Sequence, residues 1–218
     1  NMPRPGVEEM TREIAPFVDI RCYNGHTMDD WLREGHTFDE LAQTLKQSGD
    51  EAWIYYNIRG IIVNPEWIRI INGLYMWLGP FKVHVPWIYQ SYKGDPFDDT
   101  DGPVEKGHDF GYAMPSAEDG ITPVPTRHWE AFREGVDDIR YLCLLEDLVE
   151  AARKTAPDKA KAAQAWLDEM RAMMPKDVSK IEGESPLLIA ISQKFTGEDY
   201  QRLRRRTAEE IGKLMRGT

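Results

Sequence analysis

The sequence predicts an α/β protein in which parallel β-strands alternate with α-helices. Short buried apolar runs alternate with amphipathic segments, and that order favours a parallel sheet. No glycine-rich phosphate-binding motif follows any predicted strand, so a nucleotide-binding doubly wound fold loses support. Four strands with helices between them suit one half of an eight-stranded (β/α) barrel. We therefore expect residues 1–153 to form part of a barrel and residues 154–218 to form a helical extension.

Four segments are predicted to be buried strands because they are short, apolar and rich in β-branched or aromatic residues. They are residues 17–23, 52–57, 74–78 and 110–114. The segment 81–92 is also apolar, but Pro86 interrupts it, which indicates irregular or edge structure.

Local signals predict where the helices between the strands begin and end. Thr37 and Glu40 have the spacing of a capping box, and Gly49 is the expected C-terminal stop of that helix. The Asn-Pro pair at 64–65 predicts the start of another helix, which Gly73 should end.

The second half of the chain is predicted to be helical. Thr126 is a good N-cap for a long helix, and residues 158–174 and 198–215 form two more helices. Periodicity does not decide whether 187–191 is helix or strand. The long helix should bury an apolar stripe made of Trp129, Phe132, Val136, Ile139 and Cys143.

Composition and charge narrow the possible partners. The formal net charge of −10 argues against nucleic acid, because phosphate binding needs a basic surface. The one basic cluster, at 202–206, stands among acidic residues and is interpreted as a solvated helix face. No apolar run is long enough to span a membrane. Cys22 and Cys143 are expected to be buried free thiols.

In a parallel α/β protein the functional face lies at the carboxyl ends of the strands. The residues there are mostly aromatic or amide side chains, which suit a polar, ring-shaped ligand. Strand alternation places Trp53, Tyr55 and Asn57 on one face, and Ile54 and Tyr56 on the other. Core packing is an equally good interpretation of any one of these aromatic residues. The candidate binding residues are Trp53, Tyr55, Asn57, Trp77, Tyr112 and Arg127.

Candidate catalytic acids and metal ligands are scarce. Among the carboxylate pairs only Glu118 and Asp119 follow a predicted strand, and a solvated loop is the favoured interpretation. The acidic loop at 95–108 lacks the calcium-ligand spacing of an EF-hand, and the five histidines show no metal-ligand spacing. We therefore predict no metal and no cofactor.

Three segments resemble the domain of unknown function 4091 family, which overlaps glycoside hydrolase family 123. The segment 122–142, TPVPTRHWEAFREGVDDIRYL, is similar to the closing motif of that family. The segments 53–57, WIYYN, and 73–77, GLYMW, resemble two of its strands. Thr126, Phe132 and Asp137 depart from the usual Ser, Leu and Glu. The likeness covers residues 18–145 in the order of the family.

The resemblance implies a (β/α) barrel whose catalytic Asp-Glu pair ends the fourth strand. That family performs substrate-assisted, retaining hydrolysis of β-linked N-acetylhexosamines, with N-acetylgalactosamine the favoured sugar. In this chain the pair would precede Asn1, so no catalytic residue is assigned here. The chain would hold the fifth to eighth strands, would need the preceding part of the polypeptide as its partner, and would supply sugar-binding walls. The resemblance favours an extracellular or periplasmic location.

Two hypotheses remain open at this point. In the first, the chain is part of a glycosidase and is inactive on its own. In the second, it is a non-catalytic carbohydrate-binding or structural module.

Overall fold

A parallel three-stranded sheet lies in the N-terminal half of the protein. The computed structural model describes residues 13, 17–56, 64–86, 89–92, 94–95, 98 and 110–216. The strands are β1 (Ile20–Asn24), β2 (Glu51–Tyr55) and β3 (Phe81–Val85), adjacent in chain order as β1-β2-β3. The predictions of β1 and β2 are confirmed. The segment predicted as irregular or edge-like contains β3, which lies at one edge of this sheet.

Strands β1 and β2 turn alternate side chains towards the helices. In β2 the residues Ala52 and Ile54 are buried, and Tyr56, directly after the strand, continues that side. Trp53 and Tyr55 point the other way and are only partly buried. This division agrees with the strand alternation predicted from the sequence.

Helices α1 (Gly25–Arg33) and α2 (Phe38–Ser48) connect β1 to β2. Helix α1 begins directly after β1, and Gly25 is needed there because a Cβ atom would collide with the ring of Tyr56. Helix α2 has the predicted capping box between Thr37 and Glu40, and Gly49 ends it with φ 80°.

One continuous helical segment connects β2 to β3. Helix α3 (Pro65–Ile70) begins at the predicted Asn64 cap, and the backbone then widens into a π-helical turn, Ile71–Tyr75, followed by α4 (Met76–Leu78). The predicted strand at 74–78 and the predicted stop at Gly73 are therefore wrong. Gly73 lies in the helix because the neighbouring long helix crosses it closely, with the carbonyl oxygen of Gly135 only 3.1 Å from where a Cβ atom would stand.

The predicted fourth strand is divided into short antiparallel pieces. Strands β4 (Gln90–Ser91) and β5 (Phe110–Gly111) pair with each other, and β6 (Ala113–Pro115) pairs with β7 (Pro123–Pro125). The fold is thus a mixed α/β fold, with three parallel strands in the main sheet of the described chain.

The remaining helices are α5 (Arg127–Ala152), α6 (Pro157–Met173), α7 (Pro186–Lys194) and α8 (Gly197–Met215). Thr126 caps α5 as predicted, and the undecided stretch at 187–191 is helical. The predicted apolar stripe of α5 is wrong for Trp129 and Cys143, which are exposed, whereas Phe132 and Ile139 are partly buried against hydrophobic clusters. The fully buried face of α5 consists of His128, Gly135, Asp138, Leu142, Leu145, Val149 and Ala152.

A buried ionic cluster joins helices α3, α5 and α8. Asp138 in α5 accepts hydrogen bonds from Arg69 in α3 and from Arg204 in α8. Arg204 also pairs with Glu134 at 2.5 Å. The interpretation of 202–206 as only a solvated face is therefore wrong for Arg204, while Arg202 and Arg206 lie against the ring of Trp166.

One hydrophobic core joins the main sheet to the C-terminal helices. Buried residues of the sheet, such as Ile54, belong to the same cluster as Leu142 in α5 and Trp166 in α6. The predicted division after residue 153 falls in the connection between α5 and α6 and stays a prediction. The two cysteines are free and exposed, which corrects the expectation that they are buried.

Candidate functional site

One face of the main sheet carries side chains that remain exposed or partly exposed. Ile20 at the start of β1 is 49% exposed, and Cys22 further along the same strand is also exposed. The strand register aligns these positions in rows across the sheet. Cys22, Trp53 and Val83 form one row, and Asn24, Tyr55 and Val85 form the next. Parallel sheets are normally covered on both faces, so this open face is a candidate contact surface.

Trp53 is the largest side chain on the open face. Its indole Nε1 donates a hydrogen bond to the Glu51 carboxylate at 2.6 Å. Because the two residues lie two positions apart on one strand, they share a side of the sheet. The bond fixes the orientation of the indole ring and places a carboxylate beside it, a combination suited to stacking on a ring that also carries hydroxyl groups.

A second cluster lies at the carboxyl end of β2, around Tyr56. The Tyr56 hydroxyl donates a hydrogen bond to the Asp29 carboxyl, and its ring meets the ring of Tyr75 edge to face with centroids 5.6 Å apart. The Tyr56 carbonyl oxygen lies 3.3 Å from Nε2 of His84. The other ring nitrogen of His84, Nδ1, lies 2.8 Å from the amide oxygen of Asn72.

The π-helical turn contains Asn72 and Tyr75 and places both side chains in this cluster. Asn72 donates to the carbonyl oxygen of Ile68 and accepts from His84, so its side chain is fixed at both ends. Burial lowers the pKa of His84 to about 4, and the nearby Tyr56 carbonyl opposes this shift only in part. The ring is therefore neutral at pH 7 and donates one proton, which the shorter contact assigns to Nδ1.

Asp29 is a fully buried carboxyl group in helix α1. Desolvation raises its pKa to about 8, although the Tyr56 hydrogen bond and the charge of Arg33 both favour the ionised form. Its Oδ1 atom and the hydroxyl of Tyr75 have no hydrogen-bond partner among the described residues. Buried polar groups without a hydrogen-bond partner are rare in proteins. Buried groups with strongly shifted pKa values often lie at functional sites.

His26 connects this buried pair to the surface. Asn24 caps α1 by accepting from the backbone N–H groups of His26 and Thr27, which places His26 in the first turn at the carboxyl end of β1. Its Nδ1 lies 4.0 Å from Oδ2 of Asp29, and its ring centroid lies 5.5 Å from that of Tyr56. The imidazole is 40% exposed, whereas the Asp29 side chain is fully buried.

A polar cleft of ≈ 670 Å³ opens beside His26. It is lined by Asn24, His26, Thr27, Asp30, Arg33, Gly183 and Glu184. Arg33 is held by Asp30 at 3.1 Å and by the carbonyl oxygen of Gly183 at 2.5 Å, so it forms part of the cleft wall. The lining offers several hydrogen-bond donors and acceptors, which suits a ligand rich in hydroxyl groups.

The predicted binding residues do not all meet at one place. Trp53 and Tyr55 share the open face, and Asn57 lies outside the described residues. Trp77 lies in helix α4 and is 6% exposed, with its Nε1 donating to Glu146 at 3.0 Å. The structure therefore corrects the expected position of Trp77 at a strand end.

Tyr112 and Arg127 also lie apart from the open face. Tyr112 is buried between strands β5 and β6, with its ring edge against Phe132 at 5.4 Å between centroids. Burial raises the pKa of Tyr112 to about 12. Arg127 is exposed at the first position of α5. Glu118 and Asp119 lie in an exposed loop, where Asp119 hydrogen bonds to Thr122.

Sequence reasoning missed His26, Asp29 and Tyr56. No helix is predicted between the strand at 17–23 and the capping box at Thr37, so the three-residue spacing of His26 and Asp29 was not interpreted as helical. Tyr56 was placed correctly on the face opposite Trp53, but nothing in the sequence showed that this face would receive a buried carboxyl group. The useful signal was the Asn-Gly pair at 24–25, which is a helix cap here and not a chain-reversing turn.

Other features of the described chain add few candidates. Within the described ranges, no group of three His, Cys, Asp or Glu side chains is arranged to hold a metal ion. In the same part of the chain, no helix combines the length and apolarity that crossing a membrane requires. Comparisons with protein-family models, curated proteins and solved structures found no match to this chain.

Proposed function

We propose that the chain is the C-terminal part of a (β/α)-barrel, glycoside hydrolase-like protein and that its open sheet face contributes a carbohydrate-binding wall. In this proposal β1, β2 and β3 are consecutive barrel strands and the helices form the outer layer. In this proposal the parent protein hydrolyses β-linked N-acetylhexosamines, with N-acetylgalactosamine glycosides as the substrates that the resemblance described above implies, and its catalytic pair lies outside this chain.

The observation that carries the proposal is the sheet with one open face. Neighbouring strands follow one another in chain order, all parallel, which is the order that a barrel requires. In a barrel the helices cover the outside, and the other face of the strands points inwards. Here that other face carries Trp53 in the middle of β2 and Tyr55 at its carboxyl end, and barrel enzymes bind their ligands at the carboxyl ends of the strands.

The chemistry of the open face fits a sugar. Aromatic rings stack on the apolar face of a pyranose, and the Glu51 carboxylate beside Trp53 can accept hydrogen bonds from its hydroxyl groups. Asn24, in the row of Tyr55, leads from this face into the polar cleft at the end of β1. The same surface would serve a non-catalytic carbohydrate-binding module, the second hypothesis left open by the sequence.

Calorimetric titration of the chain with methyl N-acetyl-β-galactosaminide and its oligomers tests the proposal. We expect Trp53→Ala to weaken binding at least tenfold, because truncating an aromatic residue that anchors a ligand costs about 2 kcal/mol or more, and about 1.4 kcal/mol is tenfold in affinity. Trp129→Ala is the matched control, since Trp129 is a 38% exposed tryptophan on α5 and not on the sheet. Equal affinity of the two variants, or no binding by the unaltered chain, would reject the sugar-wall role.

Hydrolysis distinguishes the two hypotheses. A protein that joins this chain to its preceding polypeptide should release the aglycone from an aryl N-acetyl-β-galactosaminide if the parent is a glycosidase. Sugar binding without release would favour the non-catalytic module.

A further inference from the structure

We infer that the polar cleft at the end of β1 is a second sugar-binding subsite, so that the ligand of this protein is an oligosaccharide. The first subsite is the open sheet face with Trp53 and Tyr55. This inference rests on the proposed function in taking the ligand to be a carbohydrate. Only Asn24 belongs to both places among the described residues, so the two subsites can be tested separately.

The cleft lies where a chain of sugar residues can continue from the open face. Asn24 lines the cleft, and its register partner in β2 is Tyr55. Neighbouring strands lie about 4.8 Å apart, so the cleft begins one strand away from the aromatic residues. Asn24 and Tyr55 each end their strand, at the edge where parallel α/β proteins bind ligands.

The charges of the cleft favour a ligand without negative charge. Apart from Gly183, every described residue that lines the cleft has a polar side chain. Asp30 and Glu184 are carboxylates, and in the described lining only Arg33 is a fixed cation. A sugar that carries phosphate, sulfate or carboxylate groups would be repelled by this excess of negative charge, whereas a neutral sugar would not.

Asp30 and Arg33 form an oriented hydrogen-bonding pair in the wall of the cleft. Nη1 of Arg33 donates to Oδ1 of Asp30 at 3.1 Å, and Nη2 donates to the carbonyl oxygen of Gly183 at 2.5 Å. These bonds use two of the five N–H groups of a guanidinium, and neither uses Oδ2 of the carboxylate. A charged donor beside a charged acceptor matches two neighbouring hydroxyl groups of a sugar, because each hydroxyl group can donate and accept.

The wall of the cleft is oriented without a ligand. The bond from Arg33 to Gly183 connects α1 to the segment between α6 and α7, and Gly183 has φ 112°, a conformation that favours glycine. The side chains of Asp30 and Arg33 remain 56% and 32% exposed, so a ligand can reach them. Groups that are already oriented lose less conformational entropy when a ligand binds.

Two-dimensional NMR of the ¹⁵N-labelled chain locates the two subsites separately. We expect the β-linked disaccharide of N-acetylgalactosamine to shift the indole N–H signal of Trp53 and the backbone amide signals of Thr27 and Gly183. Shifts at Trp53 without shifts at Thr27 and Gly183 would overturn this inference and leave the proposed function standing. Shifts at the cleft alone would support the cleft as a sugar site and reject the open face, and no shift at either place would reject both.

Inorganic phosphate is the probe for the charge argument. We expect it to cause no saturable shift of the Thr27 and Gly183 amide signals, because the carboxylates of the cleft oppose an anion. Saturable shifts with phosphate would identify an anion site and overturn the inference.

An Asp30→Asn variant tests the hydrogen-bonding pair. We expect it to bind the disaccharide at least tenfold more weakly in a calorimetric titration, because it loses a charged acceptor and the partner that orients Arg33. Glu130→Gln is the matched control, since Glu130 is 51% exposed and pairs with Arg133 three residues further along α5 at 2.8 Å. Equal disaccharide affinity of Asp30→Asn and Glu130→Gln would overturn the inference.

Discussion

Replacing Asp138 with asparagine should be among the most destabilising conservative changes in this protein. The Asp138 carboxylate accepts one hydrogen bond from Arg204 at 2.6 Å and two from Arg69 at 2.7 and 3.2 Å. Its side chain is 1% exposed, and the side chains of Arg69 and Arg204 are 20% and 27% exposed. The variant keeps the shape of the side chain but leaves two clustered cations without their shared counter-charge.

The expected loss follows from how deeply the cluster is buried. Removing one partner of a buried ion pair costs about 3–5 kcal/mol. We expect the lower end, about 3 kcal/mol, because both arginines keep some solvent and Arg204 keeps Glu134. For a chain of this size that loss corresponds to a fall of roughly 6–12 °C in Tm.

The assay is denaturant unfolding followed by circular dichroism, with Asp137→Asn as the control. Asp137 is the preceding residue on α5 and makes only longer, more exposed pairs, with Arg133 at 3.5 Å and Arg140 at 4.0 Å. Such surface pairs contribute less than about 1 kcal/mol. If the two variants lose the same free energy of unfolding, Asp138 does not join the helices in the way that the structure indicates.

Three further changes have outcomes fixed by the packing. Gly135→Ala should cost about 1–3 kcal/mol of unfolding free energy, because the new Cβ atom collides with a carbonyl oxygen of α3. Gly212→Ala, in the open part of α8, should be neutral or stabilising in the same urea titration. Asp29 should make the protein less stable as pH rises from 6.5 to 8. Its pKa of about 8 in the folded protein lies above its pKa in the unfolded chain. Between these two pKa values only the folded protein holds the proton, so a rising pH favours unfolding until about pH 8. His84 acts in the opposite direction, but only between about pH 4 and 6.5, so Asp29→Asn should flatten the stability curve above pH 6.5. Persistence of the slope in Asp29→Asn would argue against that assignment. Trp77→Ala should cost about 3–5 kcal/mol and leave sugar affinity unchanged in the folded fraction, and a selective loss of affinity would return Trp77 to the binding site.

The prediction of helix ends succeeded where a cap acts within a few residues. Thr37 with Glu40 and Thr126 each satisfy backbone N–H groups of their own helix, so their effect is visible in the sequence. Gly73 failed as a helix stop because its role is tertiary. It allows the π-helical turn to approach Gly135, and a close helix crossing has no signature in the local sequence.

The buried face of α5 shows the same limit. An apolar stripe predicts which side of a helix is buried only when the buried contacts are apolar. In α5 the buried face includes Asp138 and Gly135. Asp138 is buried because it pairs with arginine side chains, and Gly135 is buried because α3 crosses α5 closely at that position. Those partners lie about 70 residues away in the chain.

The candidate site likewise has one part that the sequence predicts and one part that depends on tertiary packing. Strand alternation in β2 determined that Trp53 and Tyr55 share one face, and Ile54 and Tyr56 the other. Only the tertiary structure decided that one of these faces is open and that the other brings Tyr56 to Asp29. The sequence by itself thus determined the class of fold, the first two strands of the sheet and the capped helix ends, since these depend on neighbours along the chain. The tertiary structure decided the helical state of residues 74–78 and the meeting of His26, Asp29 and Tyr56, because these depend on groups that are distant in sequence and are brought together only by packing.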